Sequence, residues 1–312
     1  MQNRDYRQAS IEQLGEMGAA AKSAVPALID LLGTVSYYED TTHTLGELGP
    51  SAAEAIPALR EMLTNERTMY AAAQSLEKIE EDHQPTIDIL AKNLDQPNLR
   101  GDAAYSLGVF AADAPERIEP LLLKVISGEN QYDREMALRA AGSLKSKAGV
   151  TMLIKVLEEN DRDLSDLAAL SLGKLAIEAD LAVPALLKSM QDSNERVQYT
   201  AVQALGKFGA DAAPAVPALL KALDDKSIHV AAAGALGRIG APAQEAIPRL
   251  IKMLDDPQER RAALEGLKQF GPLAESAVPR LKELEQESRN YDLRLVKATL
   301  KAIQSPEEKE KN

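Results

Sequence analysis

Cysteine and tryptophan are absent from the 312 residues of the chain, and aromatic residues together make up only 4% of it. Without cysteine the chain has no disulfide, no thiolate metal ligand and no cysteine nucleophile. So few aromatic residues do not favour an aromatic-centred β-sandwich or barrel. No apolar run reaches the length of a membrane span, and the N-terminal residues lack the apolar centre of a secretory signal. We expect a cytoplasmic protein, although export stays open if an N-terminal segment has been removed.

The charge balance of the chain is acidic, with 48 Asp and Glu against 36 Lys and Arg and a net charge of −12. Residues 1–150 carry 14 basic and 23 acidic side chains, so most of the acidic excess lies in the first half. Proteins that bind nucleic acids usually carry a positive excess, because phosphate contacts dominate their affinity. The sequence therefore predicts protein partners and no nucleic acid.

A short stretch of sequence recurs along the whole chain. Residues 203–225 read QALGKFGADAAPAVPALLKALDD, and residues 234–256 read GALGRIGAPAQEAIPRLIKMLDD. The Leu of the LG pair recurs at steps of 31, 33 or 34 residues, at Leu14, Leu45, Leu76, Leu107, Ala141, Leu172, Leu205, Leu236, Leu267 and Leu300. An apolar residue follows eleven positions after each of the first nine anchors, so the length varies only in the turn between repeats. Such a period indicates a stacked repeat architecture.

Each repeat predicts two helices. Apolar residues at helical spacing mark the first helix, and a Gly four residues past the anchor ends it in a left-handed conformation. The second helix begins at a Val/Ile-Pro pair, at Pro26, Pro57, Pro184, Pro217, Pro248 and Pro279. The Gly directly after the anchor predicts close approach of a neighbouring helix, and the Asp-Asp pairs at 224–225 and 255–256 are interpreted as helix caps.

These helix pairs predict an all-α fold, a right-handed α-α superhelix. We expect residues 1–303 to form a single repeat domain of nine helix pairs plus a C-terminal capping helix, and residues 304–312 to form a charged tail. One pair cannot bury its apolar face alone, so the pairs must stack. The second helices are then expected to line a concave surface.

The repeated unit, ALGxxG followed by A[VI]PxLxxxL, resembles the short bacterial HEAT repeat that is also found in phycobilin lyase subunits. The resemblance covers residues 5–303. It implies a HEAT-repeat α-solenoid, a fold shared by adaptors, scaffolds and a few enzymes. We therefore interpret the chain as a non-enzymatic protein-binding scaffold or adaptor. The alternative is an accessory or catalytic subunit of a lyase-type enzyme that acts on a protein-bound ligand.

The histidines argue against a metal centre. Deoxyhypusine hydroxylases of the HEAT type bind iron through His-Glu pairs, but His43, His83 and His229 are followed by Thr, Gln and Val. The chain also lacks an HExxH motif. His229 takes a position that carries Arg in several other repeats, which favours a polar surface role. The sequence thus predicts no catalytic residue, no cofactor and no metal site.

The candidate partner-binding residues lie on the second helices. Positions two and five places after the Val/Ile anchor are expected to point outward, and the predicted concave-face residues are Ile89, Lys92, Leu123, Lys188, Lys221 and Lys252. Lys188, Lys221 and Lys252 occupy equivalent places in consecutive repeats, and we call them the lysine row. Two alternatives stay open: the lysine heads are simply solvated, or the helical phase slips near Lys155, so that Leu153, Val156 and Leu157 form the local core.

Repeats three to five depart from the pattern. Glu80, Ala111 and Lys145 replace the Gly that ends the first helix, and residues 127–135 contain a three-residue insertion. Sequence drift, a bend or a binding centre would each produce this departure.

The repeat architecture predicts an elongated, curved particle in small-angle scattering. A compact globule of 312 residues would have a radius of gyration of about 20 Å. We expect a clearly larger value, and a radius near that of the compact globule would contradict the stacked arrangement.

Overall fold

The computed structural model describes residues 2–34, 37–159, 161, 164–287 and 290–305. Within these ranges there is no strand, and nineteen α-helices alternate as first and second helices of successive repeats. The first helices are α1 (Gln2–Glu16), α3 (Tyr38–Leu48), α5 (Glu66–Ile79), α7 (Arg100–Leu107), α9 (Gln131–Ala141), α11 (Ser165–Leu175), α13 (Glu195–Lys207), α15 (His229–Ile239), α17 (Arg260–Phe270) and α19 (Asn290–Gln304). The second helices are α2 (Val25–Leu32), α4 (Ile56–Met62), α6 (Gln84–Asn93), α8 (Pro115–Ile126), α10 (Lys147–Glu158), α12 (Ala179–Ser189), α14 (Val216–Ala222), α16 (Ile247–Met253) and α18 (Val278–Glu287).

The predicted all-α fold of nine helix pairs and a final helix is therefore confirmed for the described residues. The chain divides into two units, residues 1–149 and 150–312, each with its own core. A single repeat domain over residues 1–303 stays a prediction. Of the predicted tail, Gln304 closes α19, and residues 306–312 lie outside the described part.

The core of each unit is built from the two series of apolar anchors. Leu14 is half-buried, and the other nine anchors of the LG series are buried. In the second helices the Val/Ile anchors are buried as well, except that Ile56 and Val278 are half-buried. Consecutive first helices pack against each other within each unit, as α3 does on α5 and α15 does on α17. This packing buries the apolar face that an isolated pair would expose.

The Gly after the anchor allows this close packing. A Cβ atom on Gly206 would lie 2.8 Å from the Cα atom of Ala235 on the next first helix, and one on Gly173 would lie 2.7 Å from the Cα atom of Ala204. Both distances are well below ordinary van der Waals contact, so no side chain fits. The expected close approach is confirmed at Gly206 and Gly173, where it offsets the roughly 1 kcal/mol of helix propensity that Gly loses to Ala. It is not confirmed at Gly15, where a Cβ atom would lie no closer than 3.5 Å to a neighbouring atom.

The first helix ends at a Gly of positive φ, but not in the left-handed helical region that the sequence predicts. Gly49, Gly240 and Gly271 have φ of 57°, 76° and 56° with ψ of −143°, −130° and −132°. This region is essentially open to Gly alone. A 3₁₀ segment of six or seven residues follows each of these glycines, at Gly49–Ala55, Ala241–Ala246 and Gly271–Ala277. The sequence pattern gave no indication of these segments.

The predicted start of the second helix is confirmed in five repeats and wrong at Pro184. Helices α2, α4, α14, α16 and α18 begin at the Val/Ile that precedes the proline. Helix α12 instead begins at Ala179, and Pro184 lies inside it. Ala176 takes the place of the terminating Gly there, in the left-handed helical region, and no 3₁₀ segment follows. The residues that would form that segment therefore become the first turns of α12.

Arginines at the start of the first helices satisfy carbonyl groups at the end of the preceding second helix. The Nε atom of Arg100 donates to the Leu94 carbonyl at 2.7 Å, and Arg260 donates to Leu254 at 2.9 Å. The ring of His229 takes the same position, with Nδ1 3.0 Å from the carbonyl oxygen of Lys226. The two arginines supply partners for carbonyls at the helix end, where partners within the helix run out. His229 instead contacts a carbonyl of the turn before its own helix, which agrees with the polar surface role expected of it.

The Asp-Asp pairs cap turns and not the helices themselves. The side chains of Asp225 and Asp256 accept the backbone N–H groups of Ser227 and Gln258, at 2.9 and 2.8 Å. These bonds close the turns before α15 and α17, whose own N-cap residues make no side-chain cap bond. The prediction that these aspartates cap the helix start is therefore wrong in detail, since they accept hydrogen bonds in the turn a few residues before each helix.

Replacement of core residues tests the helical phase. Val216 and Leu219 are buried in unit 2, whereas Lys221 is exposed on the same helix. Val216→Asp or Leu219→Asp places an unpaired charge in the core and should lower the free energy of unfolding by several kcal/mol. Lys221→Ala should change it by less than about 0.5 kcal/mol. Equal losses of unfolding free energy for Leu219→Asp and Lys221→Ala, measured by equilibrium urea unfolding, would contradict the helical phase that buries Leu219 and exposes Lys221.

Candidate functional site

The lysine row lies on the exposed side of three consecutive second helices in unit 2. Lys188, Lys221 and Lys252 belong to α12, α14 and α16, and all three are exposed. Within the described part of unit 2, none of them lies within 4 Å of a carboxylate oxygen. Because each repeat contributes one lysine at the same place, unit 2 presents three free ammonium groups on one face. We call this side of the second helices the second-helix face.

Other charges on the second-helix face of unit 2 are paired with each other. Arg249 makes an ion pair with Asp224, and Arg280 lies 2.8 Å from Asp255 and 2.9 Å from Glu283. The arginines stand two places after the Val/Ile anchor, and the aspartates belong to the preceding repeat. These contacts neutralise the arginines, whereas the lysine row keeps its charge available.

The second-helix face of unit 1 carries the apolar candidates. Leu123 on α8 is 40% exposed, Ile89 on α6 is half-buried, and Lys92 is exposed one helical turn away from Ile89. An ion pair between Asp88 and Arg117 lies beside Ile89. The structure thus places all six predicted residues at the surface of their second helices, although it divides them between the two units.

The helical phase of α10 is slipped relative to the other second helices. Leu153, Val156 and Leu157 have exposed fractions of 0%, 1% and 7%, while Lys155 is exposed. The alternative in which these three residues form the local core is therefore the correct one. Leu157 is removed from any exposed apolar strip, and Ile154 is only half-buried.

The three histidines have local partners at separate places in the fold. His83 Nδ1 lies 3.0 Å from the Asp113 carboxylate, and its Nε2 atom lies 3.0 Å from the carbonyl oxygen of Glu77. His43 lies 3.9 Å from Glu47 on the next turn of the same helix. Among the residues that the structure describes, no group of three His, Asp or Glu side chains is arranged to hold a metal ion.

Glu80 is a structural residue that the sequence pattern did not reveal. It replaces the terminating Gly of the third repeat, and its side chain is only 2% exposed. Arg60 donates to it at 2.8 Å, and the Thr86 hydroxyl donates at 2.7 Å. A buried carboxylate is stable only when it is paired in this way. The sequence showed that Glu80 replaces a Gly, but it did not show that Arg60 and Thr86 bind the Glu80 side chain.

The insertion in residues 127–135 packs on the neighbouring first helix. Asn130 caps α9. The ring of Tyr132 lies directly against Gly101, since a Cβ atom on Gly101 would be only 2.6 Å from the Cε1 atom of Tyr132. Burial raises the pKa of Asp133, against the lowering effect of Arg100 beside it. Burial also raises the pKa of Tyr132 to about 12, helped by its hydrogen bond to Asp102. Packing thus accounts for part of the insertion.

Tyrosines gather on the first-helix side of unit 1. The rings of Tyr70 and Tyr105 stack with centroids 4.5 Å apart, and burial raises the pKa of Tyr70 to about 12. The low aromatic content of the chain gave no sign that two of its tyrosines lie together. Their positions on successive first helices, with different offsets from the anchor, hid the pairing.

Comparison with known families identifies repeats in the second half of the chain. The model of HEAT repeats matches residues 167–230, 183–268 and 216–301. Phycocyanobilin lyase subunit alpha from Microchaete diplosiphon is 32% identical over 107 residues, which are 32% of this chain and 36% of that protein. The match thus spans about a third of the length of this curated relative.

Two solved structures are similar to most of the chain. The X-ray structure of YibA from Escherichia coli has a TM-score of 0.55 at 16% identity and covers 84% of this chain and 95% of its own. The complex of CpcE and CpcF of phycocyanin lyase from Nostoc sp. PCC7120 has a TM-score of 0.45 at 24% identity, over 72% of this chain and 97% of that one.

Within the described residues, no helix is long and apolar enough to cross a membrane. The matched repeats cover residues 167–301, and helix pairs of the same kind occur in both units. The chain therefore carries HEAT repeats over residues 167–301 and is an all-α repeat protein throughout its described residues.

Proposed function

We propose that the chain is a protein-binding scaffold or adaptor that receives its partner on the second-helix face. The observation that carries the proposal is the lysine row, three exposed lysines at one place in three consecutive repeats. Repeat proteins commonly bind through such a surface, because each repeat adds one side chain to a single extended contact.

The partner is expected to present acidic side chains to the lysine row. The chain as a whole has a net charge of −12, so a set of unpaired lysines is a local departure from its average charge. Opposite charges on two surfaces speed their encounter and fix the register of the complex. Solvation alone would place lysine heads in water too, but it gives no reason for the same residue in three successive repeats.

The apolar residues on the second-helix face of unit 1 are a second proposed contact area. Leu123 keeps 40% of its surface exposed, and Ile89 lies half-buried beside Lys92. Exposed apolar groups of this kind commonly mark an interface, because a partner that covers them removes apolar surface from water. Partner binding is therefore expected to depend on both parts, Ile89, Lys92 and Leu123 in unit 1 and the lysine row in unit 2.

Charge reversal tests the lysine row directly. Lys188→Glu with Lys221→Glu should weaken binding of a fluorescent Glu-rich peptide by at least about tenfold, which corresponds to ~1.4 kcal/mol. The remaining affinity should depend less on salt, because exposed attraction is screened by ions. Fluorescence anisotropy at low and high salt measures both effects.

The matched control uses the first helices α11 and α13. Lys174→Glu with Lys207→Glu makes the same change of charge, but at two exposed lysines of the first-helix side. Circular dichroism establishes that both double variants keep their helix content. If the control weakens peptide binding as much as the lysine-row variant, net charge and not the second-helix face controls binding, and the proposal is wrong.

A second candidate function is that of a lyase subunit. It is favoured by the 32% identity over 107 residues to a protein named phycocyanobilin lyase subunit alpha. Two surface grooves offer space for a small ligand. One, of 520 Å³, lies between α2 and α4 beside the starts of α3 and α5, and the other, of 490 Å³, lies between α10 and α12.

A bilin titration separates the two functions. For a scaffold we expect no saturable change in the absorption spectrum of phycocyanobilin when the purified chain is added. A saturable spectral change, lost in a variant that fills one groove (Ala185→Gln) and kept in one that alters the exposed first-helix side (Lys207→Gln), would favour the lyase subunit instead.

A further inference from the structure

A small cavity lies on the first-helix side of unit 2, away from the lysine row. It measures 220 Å³ and is formed between α13, α15 and α17. Its lining includes Tyr199, Gln203, Gly234, Arg238, Arg261 and Glu265. We call this cavity the Arg238 notch.

The notch exists because Gly234 has no side chain. Two places before the anchor, the neighbouring repeats carry Gln203 and Glu265. A Cβ atom on Gly234 would meet no atom closer than 3.6 Å, so packing does not require glycine at this place. Gly206 differs, since a Cβ atom there would lie 2.8 Å from the Cα atom of Ala235. The missing side chain at Gly234 thus leaves room for something else.

Arg238 lies along the floor of this space. Helical side chains lean towards the N-terminus, so the side chain four residues after Gly234 covers it. The two terminal nitrogens of Arg238 would lie 3.6 and 3.8 Å from a Cβ atom on Gly234, and Nε would lie 2.9 Å from one on Gly206. The side chain therefore runs across both glycines, from α15 towards α13.

The guanidinium group of Arg238 lacks a partner. Its Nε atom is buried without a hydrogen-bond acceptor, and among the described residues Arg238 makes no ion pair and donates no hydrogen bond. Burial lowers the pKa of Arg238, although the negative charge of Glu265 acts in the opposite direction. A partly buried cation without a partner loses hydration, and a bound anion would offset that cost in free energy.

The neighbouring groups fit a singly charged anion. The Tyr199 hydroxyl accepts a hydrogen bond from Gln203 at 2.9 Å, so its own proton is free to be donated. Arg261 adds a second positive charge, while Glu265 holds a negative charge and accepts from Gln269 at 2.9 Å. Two arginines against one glutamate leave one net positive charge at the notch.

We propose that the Arg238 notch binds a carboxylate group, either of a small free acid or of an acidic side chain in a peptide. The planar guanidinium group matches a carboxylate through two parallel hydrogen bonds. Glu265 would repel the second negative charge of a phosphate. The site is separate from the second-helix face, so its failure would leave the proposed scaffold function untouched.

The resonance of the Arg238 Nε–H group tests the proposal in the full chain labelled with ¹⁵N. Propionate and the peptide acetyl-Gly-Glu-Gly-amide serve as probes of the free acid and of the acidic side chain. We expect a saturable shift of one arginine Nε–H signal, and this signal should disappear in Arg238→Gln. A response to both probes supports a free carboxylate as ligand, and a response to the peptide alone supports a partner side chain.

Two further variants control for charge and folding. Gly234→Gln keeps Arg238 but fills the notch with a side chain that Gln203 already carries at the equivalent place, and it should weaken the probe at least tenfold. Lys268→Gln removes one positive charge from exposed α17 surface outside the notch and should leave the affinity unchanged. Thermal unfolding establishes that each variant is folded.

Three results would overturn the proposal. The first is the absence of a saturable shift with either probe. The second is a loss of affinity in Lys268→Gln with no loss in Gly234→Gln, which would show that net charge alone attracts the anion. The third is tighter binding of inorganic phosphate than of either carboxylate probe, which would assign the notch to another class of anion.

Discussion

The distance between consecutive first helices is the constraint on which the rest of the fold depends. One helix pair has too little apolar surface to be stable alone, so its stability comes from the neighbour that covers it. Gly206 beside Ala235 and Gly173 beside Ala204 bring the two backbones within reach of each other. This contact sets the separation and the register of successive pairs. It also aligns equivalent places of the second helices, which is why three lysines chosen only by their position in the repeat form one row.

Much of the fold could be predicted because two periodic signals agree. The anchor period fixes the repeat, and helical spacing within it fixes which side is buried, as Leu219 and Lys221 show. The 3₁₀ segments could not be predicted, since the Ala-rich stretch between Gly271 and Val278 has no period of its own. The burial of Glu80 was equally hidden. Its partner Arg60 lies in the preceding repeat, and nothing in the spacing of the two residues shows that they meet.

The two candidate sites differ in how far the sequence could reveal them. Exposure of the lysine row follows from helical phase alone, so position within the repeat was enough to find it. The Arg238 notch depends on the difference between two glycines that look alike in sequence. A Cβ atom on Gly206 would clash with the backbone of Ala235, whereas a Cβ atom on Gly234 would meet no atom closer than 3.6 Å. Only the packed structure separates a glycine required by contact from one that leaves a space.

The arginine contacts between repeats have a consequence for how such a chain can grow. In the pairs Arg100 with Leu94 and Arg260 with Leu254, the donor is a side chain but the acceptor is a main-chain carbonyl. Every second helix ends with such a carbonyl, whatever its sequence. A duplicated or transplanted repeat that brings its own arginine can therefore form the junction with any predecessor. Recombination at these turns preserves the joint, which makes the unit from one arginine to the next a natural module for lengthening the protein.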